Sequence, residues 1–362
     1  MILKLNLDNF KAFRHLELSF SGVNLLTGLN GMGKSTVLQS LLLLKQSFSN
    51  PANRYLLLNG EYVQIGRGKD ILYENAENDM IGIGIETDTN TYGFRFSYMS
   101  ESEKLKISEG SLLPGELNQF LEQIYYLSAA RIIPQSSYPI TDAEIVNGRD
   151  FGKDGAYALQ YLEEHGSEPV KNKRLLLGDD SQNSLLRQAS LWMNYITPGI
   201  NVEVQVNRAM QSADLRYSFR EGMMKTNSYR SLNVGFGLTY VLPIVVQLLT
   251  AEAGDILLFE NPEAHIHPSG QSRLGELAAR AGSSDVQIIV ESHSDHFLNG
   301  LRLAVKRNMI PVEKMKLFYF YKDQENFTHS VVTPAMYPDG QLDQWPSGFM
   351  DEWEKMLLEL LE

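Results

Sequence analysis

The stretch GLNGMGKST at residues 28–36 decides the fold of this chain. It matches the pattern G-x-x-x-x-G-K-[ST], in which glycines let the backbone curl so that successive N–H groups point at phosphate oxygens. An apolar, strand-like run precedes it at residues 23–27, and a helix-like run follows at residues 37–48. The start of that helix adds its positive dipole end to the same anion. The placement between a strand and a helix therefore predicts a nucleoside triphosphate site.

Individual residues of this phosphate loop (residues 28–36) suit particular parts of the ligand. Lys34 is long enough to reach the β- and γ-phosphates, and the Ser35 hydroxyl can bind a Mg²⁺ ion. A glycine-rich turn without a ligand is the alternative, but the flanking strand and helix favour ATP or GTP with Mg²⁺. The predicted nucleotide contacts in the loop are Asn30, Gly31, Gly33, Lys34, Ser35 and Thr36.

The composition of the 362-residue chain narrows the remaining possibilities. No apolar run reaches the ~18 residues of a membrane span, and the N-terminus alternates apolar and polar residues without a signal-peptide core. The absence of Cys excludes disulfides and thiolate metal sites and agrees with a cytoplasmic location. A formal charge of −12 argues against general coating of nucleic acid but leaves room for a local basic groove.

Periodicity divides the chain into predicted segments. Helix and strand alternate from residue 231 as in a parallel sheet, with strand-like runs at 255–260, 287–291, 316–321 and 327–332. In the first part, strand-like runs are predicted at residues 2–7, 15–20, 23–27, 61–69, 80–87, 92–98 and 125–127. The predicted segments are residues 1–134 with the phosphate loop and a β subdomain, 135–230 as an inserted lobe, 231–322 as the second half of the core, and 323–362 as a small C-terminal segment.

The inserted lobe at residues 135–230 carries weaker patterns. Helices are predicted at residues 155–165 and 183–196, and strands at residues 202–206 and 215–219. The segment is too short for a long antiparallel coiled coil, and no heptads run through it. It is therefore expected to be a compact, helical or mixed lobe.

A carboxylate ends the apolar run DILLFE at residues 255–260. A triphosphate site needs an acid at this edge of its sheet, close to the cation held by Ser35. Glu260 is therefore predicted to act in catalysis and to contact Mg²⁺, commonly through water. The alternative is a buried strand followed by a polar turn. Pro262, just past the strand, ends the ladder and changes the direction of the chain.

The next apolar run, QIIVE at residues 287–291, leads into His293. Neutral imidazole donates or accepts a hydrogen bond, so His293 is predicted to contact the γ-phosphate or the attacking water. A structural histidine is the alternative, which is disfavoured because two other strand ends carry nucleotide groups.

The segment SLNVGFG at residues 231–237, called the signature segment below, directly precedes an apolar helical run. Glycines at a helix start expose N–H groups that bind anions, although they also suit a tight loop that caps the helix. The predicted nucleotide contacts in this segment are Asn233, Gly235 and Gly237.

These elements in this order resemble the ATP-binding-cassette (ABC) ATPases, and among them the SMC/RecF/OLD-like branch. LDNFKAFRHLELSF resembles the N-terminal arm of that branch, LLFENPEAHIHP its Walker B and D-loop, and VESHSDHFLNGLRLAVK its switch-histidine region. GQLDQWPSGFMDEW resembles a short domain of unknown function on a prokaryotic subfamily. The resemblance covers residues 1–70, 125–131 and 231–352. It implies an α/β fold with an ABC-type P-loop NTPase core of mixed or parallel sheet and flanking helices, an N-terminal antiparallel β subdomain and an inserted helical lobe.

The resemblance also implies a mechanism that uses ATP and Mg²⁺. Two protomers would meet head to tail as a homodimer, enclosing ATP between the phosphate loop of one and the signature segment of the other. ATP binding would close the dimer and hydrolysis would open it. Further residues that the resemblance points to are His267 at the D-loop, Arg131 of YYLSAARIIP near the core, Gln64 toward magnesium and Arg14 toward the nucleotide.

Two departures from the family pattern bear on activity. The family's catalytic base usually follows the Walker B acid, where this chain has Asn261, which cannot take a proton from water. Glu263 is the predicted substitute, and His293 is expected to assist. OLD-type nucleases also carry a Toprim nuclease domain, but only about 50 residues follow the switch region, too few for such a domain. The chain is therefore expected not to cut DNA by itself.

Three functions follow from these observations. The leading hypothesis is a dimeric ATPase that gates or positions a separately encoded effector, a nuclease or toxin, in defence against phage or foreign DNA. The effector would dock on residues 135–230 or on WPSGF at residues 345–349. The second is a RecF-like repair ATPase that binds DNA, and the third is a nucleotide-sensing switch with little turnover. The basic groove of the second would draw on Arg67, Lys69, Arg208, Arg216, Arg220 and Lys225.

Overall fold

Helices and strands alternate along the chain, and three β-sheets organise the part of it that the structure describes. The computed structural model describes residues 1–50, 52–110, 114–141, 148–221, 224–323, 328–346, 348–349 and 352–361. The strands are β1 (Ile2–Phe10), β2 (Phe13–Ser19), β3 (Val23–Gly28), β4 (Tyr55–Leu57), β5 (Met80–Thr87), β6 (Thr91–Ser97), β7 (Lys104–Gly110), β8 (Ile124–Leu127), β9 (Tyr138–Pro139), β10 (Ile200–Asn207), β11 (Ser212–Glu221), β12 (Met224–Lys225), β13 (Tyr229–Arg230), β14 (Ile256–Glu260), β15 (Gln287–Glu291), β16 (Met315–Lys322) and β17 (His329–Val332). The helices are α1 (Lys34–Phe48), α2 (Pro114–Glu122), α3 (Ala158–Glu164), α4 (Leu185–Ile196), α5 (Phe236–Thr250), α6 (Pro268–Gly282), α7 (Asp295–Lys306) and α8 (Glu352–Leu361).

The central sheet has the order β17-β16-β3-β15-β14-β8. All neighbouring pairs except β16 and β17 are parallel. Parallel strands end at one common edge of a sheet, and ligands of open α/β sheets bind there. The phosphate loop after β3, Glu260 at the end of β14 and Glu291 at the end of β15 therefore meet at one edge, called the C-terminal edge below.

Both faces of the central sheet are buried, which explains why its strands are continuous apolar runs. Successive side chains point to opposite faces, so Leu25 packs in the core that contains α5 and α6 while Leu26 packs in the core that contains α1. The second core also takes in the N-terminal antiparallel sheet, whose order is β2-β1-β5-β6-β7-β4. The predicted N-terminal β subdomain is therefore present and covers α1.

Residues 135–230 contain both helices and strands. In this region β11 pairs with β10, β12, β13 and β9 in a five-stranded sheet, which packs with α3 and α4. The Trp192 side chain is fully buried, and its indole N–H donates to the Leu175 carbonyl at 2.7 Å. The core around Trp192 is continuous with the one that contains α5. The lobe is therefore mixed rather than purely helical, and it shares its core with the central sheet.

Some local expectations differ from the structure. Residues 61–69 were expected to form a strand, but only an isolated bridge joins Asn59 and Gln64 there. The loop turns back too tightly for a ladder, because the Asn59 side chain bonds both the N–H and the carbonyl of Gly66. β4, β7 and α2 were not predicted. The last predicted strand, 327–332, is observed as β17, and Phe327 lies outside the described residues.

Candidate nucleotide site

The phosphate loop has the backbone conformation that its glycines predict. Gly31 and Gly33 have φ of 79° and 96°, in the left-handed region that glycine adopts without steric cost. A Cβ on Gly33 would lie 2.6 Å from the Phe13 ring, so the loop also needs glycine for close packing. α1 begins at Lys34 with Gly33 as its N-cap, and no side chain caps it. The first N–H groups of α1 therefore have no side-chain partner, which leaves Lys34 N–H and Ser35 N–H available to an anion.

Lys34 lies buried inside the phosphate loop. Its ammonium donates to the carbonyl oxygens of Gly28 at 3.0 Å and Leu29 at 2.8 Å. Burial lowers the pKa of Lys34, and the carboxylate of Glu291, with an oxygen 3.8 Å from the ammonium, partly opposes that shift. The ammonium thus occupies the centre of the loop, where the sequence predicts phosphates.

Ser35 contacts a carboxylate that sequence analysis did not single out. The Ser35 hydroxyl donates to Oε1 of Glu291 at 3.1 Å. Burial raises the pKa of Glu291, while Ser35 and Lys34 act in the opposite direction and the charges of Glu260 and Glu263 raise it further. The sequence did contain a signal for Glu291, because it is a charged residue at the end of an apolar, strand-like run. The prediction for that run concerned only the nearby His293.

Glu260 reaches the C-terminal edge as predicted. It pairs in register with Glu291 on the neighbouring strand. Its Oε2 accepts a hydrogen bond from the Ala129 N–H at 3.1 Å, which orients the carboxylate. The predicted metal pair therefore lies at the C-terminal edge, with Ser35 in the first turn of α1 and Glu260 at the end of β14, and Glu291 ends the intervening strand β15.

Arg131 is a buried clamp beneath this edge rather than a surface group. Its guanidinium donates to the carbonyls of Ser128, Glu260 and Asn261, each at 2.7 Å, and lies 4.1 Å from the Tyr240 ring centre. Burial lowers the pKa of Arg131 to about 10. The clamp ties together the exits of β8 and β14 and the first turns of α5, so Arg131 fixes the position of Glu260 through the backbone.

The turn after β14 brings Glu263 back into the site. Asn261 has φ of 44°, and its N–H donates to the Glu291 carbonyl at 2.8 Å. Oε1 of Glu263 accepts from the His293 N–H at 3.0 Å, and burial raises the pKa of Glu263. The predicted substitute base, Glu263, is therefore buried and held against the backbone of His293. Asn261, at the usual position of the base, carries an amide and cannot accept the proton.

His293 stands exposed at the edge of the site. Desolvation and the Lys34 charge both lower the pKa of His293, so its imidazole is neutral near pH 7. A neutral imidazole has one donor and one acceptor nitrogen, as the predicted contact with phosphate or water requires.

The signature segment forms the start of α5, as expected. Asn233 and Gly235 are exposed, and so are the neighbouring apolar side chains of Leu232 and Phe236, at 54% and 39%. Gly237 is buried, and a Cβ there would overlap the His265 carbonyl oxygen. Gly237 therefore has a packing role within the chain, while Asn233 and Gly235 present a free surface.

The remaining predicted contacts lie in other surroundings. His267 is the exposed N-cap of α6, and its Nδ1 accepts from the Ser269 N–H at 3.3 Å. Arg14 forms a 2.8 Å ion pair with Glu77, and Gln64 is exposed. None of these three is brought to the phosphate loop by a contact among the described residues.

The described residues of the predicted basic groove form ion pairs with acidic residues. Arg67 and Lys69 both contact Glu101, at 2.5 and 3.4 Å. In the lobe, Arg208 pairs with Glu164 at 2.7 Å and Arg216 pairs with Asp214 at 2.8 Å. The side chains of Arg220 and Lys225 lie outside the described residues.

The polar groups at the C-terminal edge fit a hydrated cation. The Ser35 hydroxyl and the carboxylates of Glu260 and Glu291 lie together at this edge. Oxygen ligands of this kind are those that Mg²⁺ prefers. Oε2 of Glu291 is buried and has no hydrogen-bond partner among the described residues. In the same residues, no set of three His, Asp or Glu side chains is arranged to hold a metal ion by itself.

Two parts of the sequence match known protein families. Residues 23–299 match the family described as "AAA domain, putative AbiEii toxin, Type IV TA system". The chain belongs to this family. Residues 310–360 match a second family, described as "Protein of unknown function (DUF3696)". Membership of this AAA family agrees with the resemblance to ABC-type P-loop ATPases of the SMC/RecF branch that the motifs indicate.

Individual relatives agree with that assignment. The chain is 44% identical over 61 residues to the DNA replication and repair protein RecF of Cytophaga hutchinsonii, a match that spans 16% of either chain. Its fold is similar to that of the Smc head domain from Pyrococcus furiosus, solved with the C-terminal domain of ScpA, with a TM-score of 0.57, 13% identity and coverage of 100% of this chain and 99% of that one. A SmcHead bound to the C-winged helix domain of ScpA matches with a TM-score of 0.53, 13% identity and coverage of 92% and 97%. The predicted α/β fold class is therefore confirmed.

Among the described residues, no helix is both long and apolar enough to cross a bilayer.

Proposed function

We propose that this chain is an Mg²⁺-dependent ATPase that works as a head-to-tail homodimer and gates a separately encoded nuclease or toxin in defence against phage or foreign DNA. The observation that carries the proposal is the convergence of the phosphate loop, Glu260, Glu263 and His293 at one edge of the central sheet. Membership of the AAA family supports the nucleotide site, and the toxin named in the family description supports the defence setting.

Binding of ATP would begin with an exchange of partners at Lys34. Its ammonium now bonds two loop carbonyls, and the phosphates of ATP would offer it charged acceptors in their place. The free N–H groups at the start of α1 would bind the same anion. Mg²⁺ would be held by Ser35 and the acidic strand ends, and it would neutralise charge on the phosphates as they react.

Hydrolysis would depend on Glu263 as the general base. A carboxylate whose pKa is raised by burial accepts a proton more readily from the attacking water. Its hydrogen bond to the His293 N–H links it to the strand end that carries the imidazole. His293, neutral at pH 7, would orient the water or the γ-phosphate.

The signature segment supports a two-chain reaction cycle. Asn233 and Gly235 are exposed at the N-terminus of α5, and a side chain at Gly235 would meet no neighbour within 4 Å. The adjacent exposed side chains of Leu232 and Phe236 would be covered in a closed dimer. ATP between the two chains would therefore favour the closed state by mass action.

The effector surface is expected at the C-terminal segment or on the lobe. Leu360 and Leu361 of α8 are 83% and 77% exposed, and Trp345 is 48% exposed. Exposed apolar side chains of this size on one short segment are typical of a docking surface. An effector seated there would respond to the opening and closing of the dimer.

The primary test compares the wild type with Lys34→Ala. Wild-type protein is expected to bind ATP with Mg²⁺, to release phosphate and to become dimeric with ATP, and Lys34→Ala should lose all three. Size-exclusion chromatography with light scattering, phosphate release and equilibrium nucleotide binding measure them. Binding and dimerisation without phosphate release would instead favour the slow nucleotide-sensing switch.

Capture of the effector is the second test. Tagged Glu263→Gln protein, purified from its native host with ATP and Mg²⁺, should carry a stoichiometric nuclease or toxin, which deletion of residues 340–362 or of the lobe surface should release. An unchanged complex after each change would overturn the docking surfaces. Mass spectrometry identifies the partner.

A DNA-binding repair ATPase is the second candidate function, and the local match to RecF favours it. It requires ATP-dependent binding of duplex DNA that weakens with salt. The described residues of the predicted basic groove, Arg67, Lys69, Arg208 and Arg216, are each paired with an acid, which argues for the first candidate. Absence of duplex binding at low salt would eliminate this alternative.

A further inference from the structure

We propose that Glu291 is a magnesium-binding residue of this site and that it holds the cation together with Ser35 and Glu260 when ATP is bound. The inference rests on the proposed ATPase function and assigns a role to an acid that neither the motif pattern nor the usual base position indicates.

The strand register places two acids side by side. Glu291 and Glu260 are directly opposite each other at the ends of β15 and β14. Like charges on adjacent strands destabilise a sheet, and each raises the cost of ionising the other. Glu291 is only 7% exposed, so water does not offset this cost. A cation close to both carboxylates would.

The hydrogen bonds of Glu291 leave one oxygen for such a cation. Oε1 accepts from the Ser35 hydroxyl, whereas Oε2 is buried without a hydrogen-bond partner among the described residues. A buried, unpartnered carboxylate oxygen is costly to maintain. Oε2 belongs to the same carboxylate that the hydroxyl of Ser35, the predicted metal ligand, already contacts.

The charge of Glu291 requires a new partner once ATP arrives. Among the described residues, the ion pair of Glu291 is with Lys34, at 3.8 Å. Phosphates would draw the Lys34 ammonium toward themselves and leave Glu291 and Glu260 beside a highly charged anion. Mg²⁺ between the acids and the phosphates offsets all of these charges.

The Ser35 hydroxyl is able to serve both neighbours at once. A hydroxyl has one hydrogen and two lone pairs. Its hydrogen already points to Glu291, and a lone pair of its oxygen remains for the cation. The existing hydrogen bond therefore orients Ser35 for metal binding, and it need not break when the metal enters.

The test is the equilibrium affinity for a non-hydrolysable ATP analogue, measured with Mg²⁺ and with the metal chelated. In the wild type, Mg²⁺ is expected to tighten binding. Glu291→Gln removes a negative charge beside the phosphates, so it should leave metal-free binding unchanged or tighter, while the tightening by Mg²⁺ falls about tenfold or more. The expected signature is therefore a smaller effect of Mg²⁺ without any weakening of metal-free binding.

Other roles for Glu291 produce different patterns. Equal weakening of both affinities would mean that Glu291 only supports the folded phosphate loop, and equal tightening would mean that it only restrains Lys34. Either pattern overturns the inference while leaving the ATPase proposal intact. A wild-type protein that binds no analogue would overturn the ATPase proposal and the inference with it.

Matched variants protect the test from a folding artefact. Glu276→Gln changes another buried glutamate, which pairs with Arg280 at 2.6 Å on α6, and it should alter neither affinity. Glu291→Asp keeps the charge but shortens the side chain by one methylene. If Glu291→Gln unfolds, Glu291→Asp should keep metal-free affinity and lose part of the tightening by Mg²⁺, and full retention of that tightening would contradict the assignment.

Discussion

The C-terminal edge of the central sheet and the signature segment carry the two halves of the predicted nucleotide contacts, and they differ in completeness. At the edge, Lys34 and Ser35 are already held by hydrogen bonds within the chain. At the signature segment, Asn233 and Gly235 are exposed and a side chain at Gly235 would meet no neighbour within 4 Å. One chain thus holds in place the residues proposed to bind phosphate and metal, whereas the signature segment is exposed, as the proposed dimer requires. Four experiments would break or sharpen this contrast.

The largest effect is expected at the edge from Glu263→Gln. Removal of the proposed base should lower the ATP hydrolysis rate by about 10²- to 10³-fold, while nucleotide affinity stays close to that of the wild type. Single-turnover hydrolysis and equilibrium binding measure the two quantities. Asn261→Asp is the matched control, because it adds an acid at the usual base position. A Glu263→Gln rate within twofold of the wild type would assign the base elsewhere.

The two signature glycines should separate packing from partner contact. Gly237→Ala places a methyl group against the His265 carbonyl and is expected to cost about 1–3 kcal/mol of unfolding free energy. Gly235 has ordinary φ and ψ of −58° and 134°, so Gly235→Ala should leave stability within about 0.5 kcal/mol. Urea unfolding measures both changes.

The same pair tests whether the signature segment acts on a partner. Gly235→Ala should lower ATP turnover and ATP-dependent dimerisation while the chain remains fully folded. Unchanged turnover over a range of protein concentrations would contradict the role of Gly235 across the dimer and leave the C-terminal edge sufficient by itself.

Arg131→Lys probes how firmly the edge is held. The guanidinium donates to four backbone carbonyls and lies over the Tyr240 ring, and an ammonium cannot reproduce this planar set of contacts. A loss of about 1–2 kcal/mol of stability is expected, with a smaller loss of turnover as Glu260 becomes less well placed. Arg302→Lys, which changes a half-buried arginine on α7, is the control. Equal losses of stability and turnover in the two variants would mean that Arg131 does not hold Glu260 in place more than an ordinary half-buried arginine would.

The smallest effect concerns the charge of His293. Its pKa is lowered in the folded chain, so folding favours the neutral ring. The associated stability is fully present above the ordinary value of about 6.5 and is lost as the pH falls through the lowered folded pKa. Since the ring is exposed, solvent limits this contribution to below about 0.5 kcal/mol. Between pH 7.5 and 5.5 the wild type should lose slightly more stability than His293→Gln, and a slightly larger loss in the variant would reverse the sign of the shift.

Strong local patterns predicted most of the edge. The phosphate loop, the acid at the end of β14 and the histidine after β15 were each recognisable because a buried strand or a glycine pattern preceded them. Glu291 was missed, since its importance depends on Ser35, which is distant in the chain and meets it only through the sheet order. In the lobe, β9, β12 and β13 were missed because two-residue strands carry no periodicity.

The sequence by itself determined the class of this protein, because the spacing of glycines, lysine and serine around a strand and helix permits few uses besides binding phosphate. It also determined which strand ends carry polar groups. Only the tertiary structure decided which of those groups meet: Glu291 with Ser35, Glu263 with the backbone of His293, and Arg131 with the exit of β14. The reason is physical, since parallel strands far apart in the chain are brought together by the packing of both sheet faces, and that packing is a property of the whole fold.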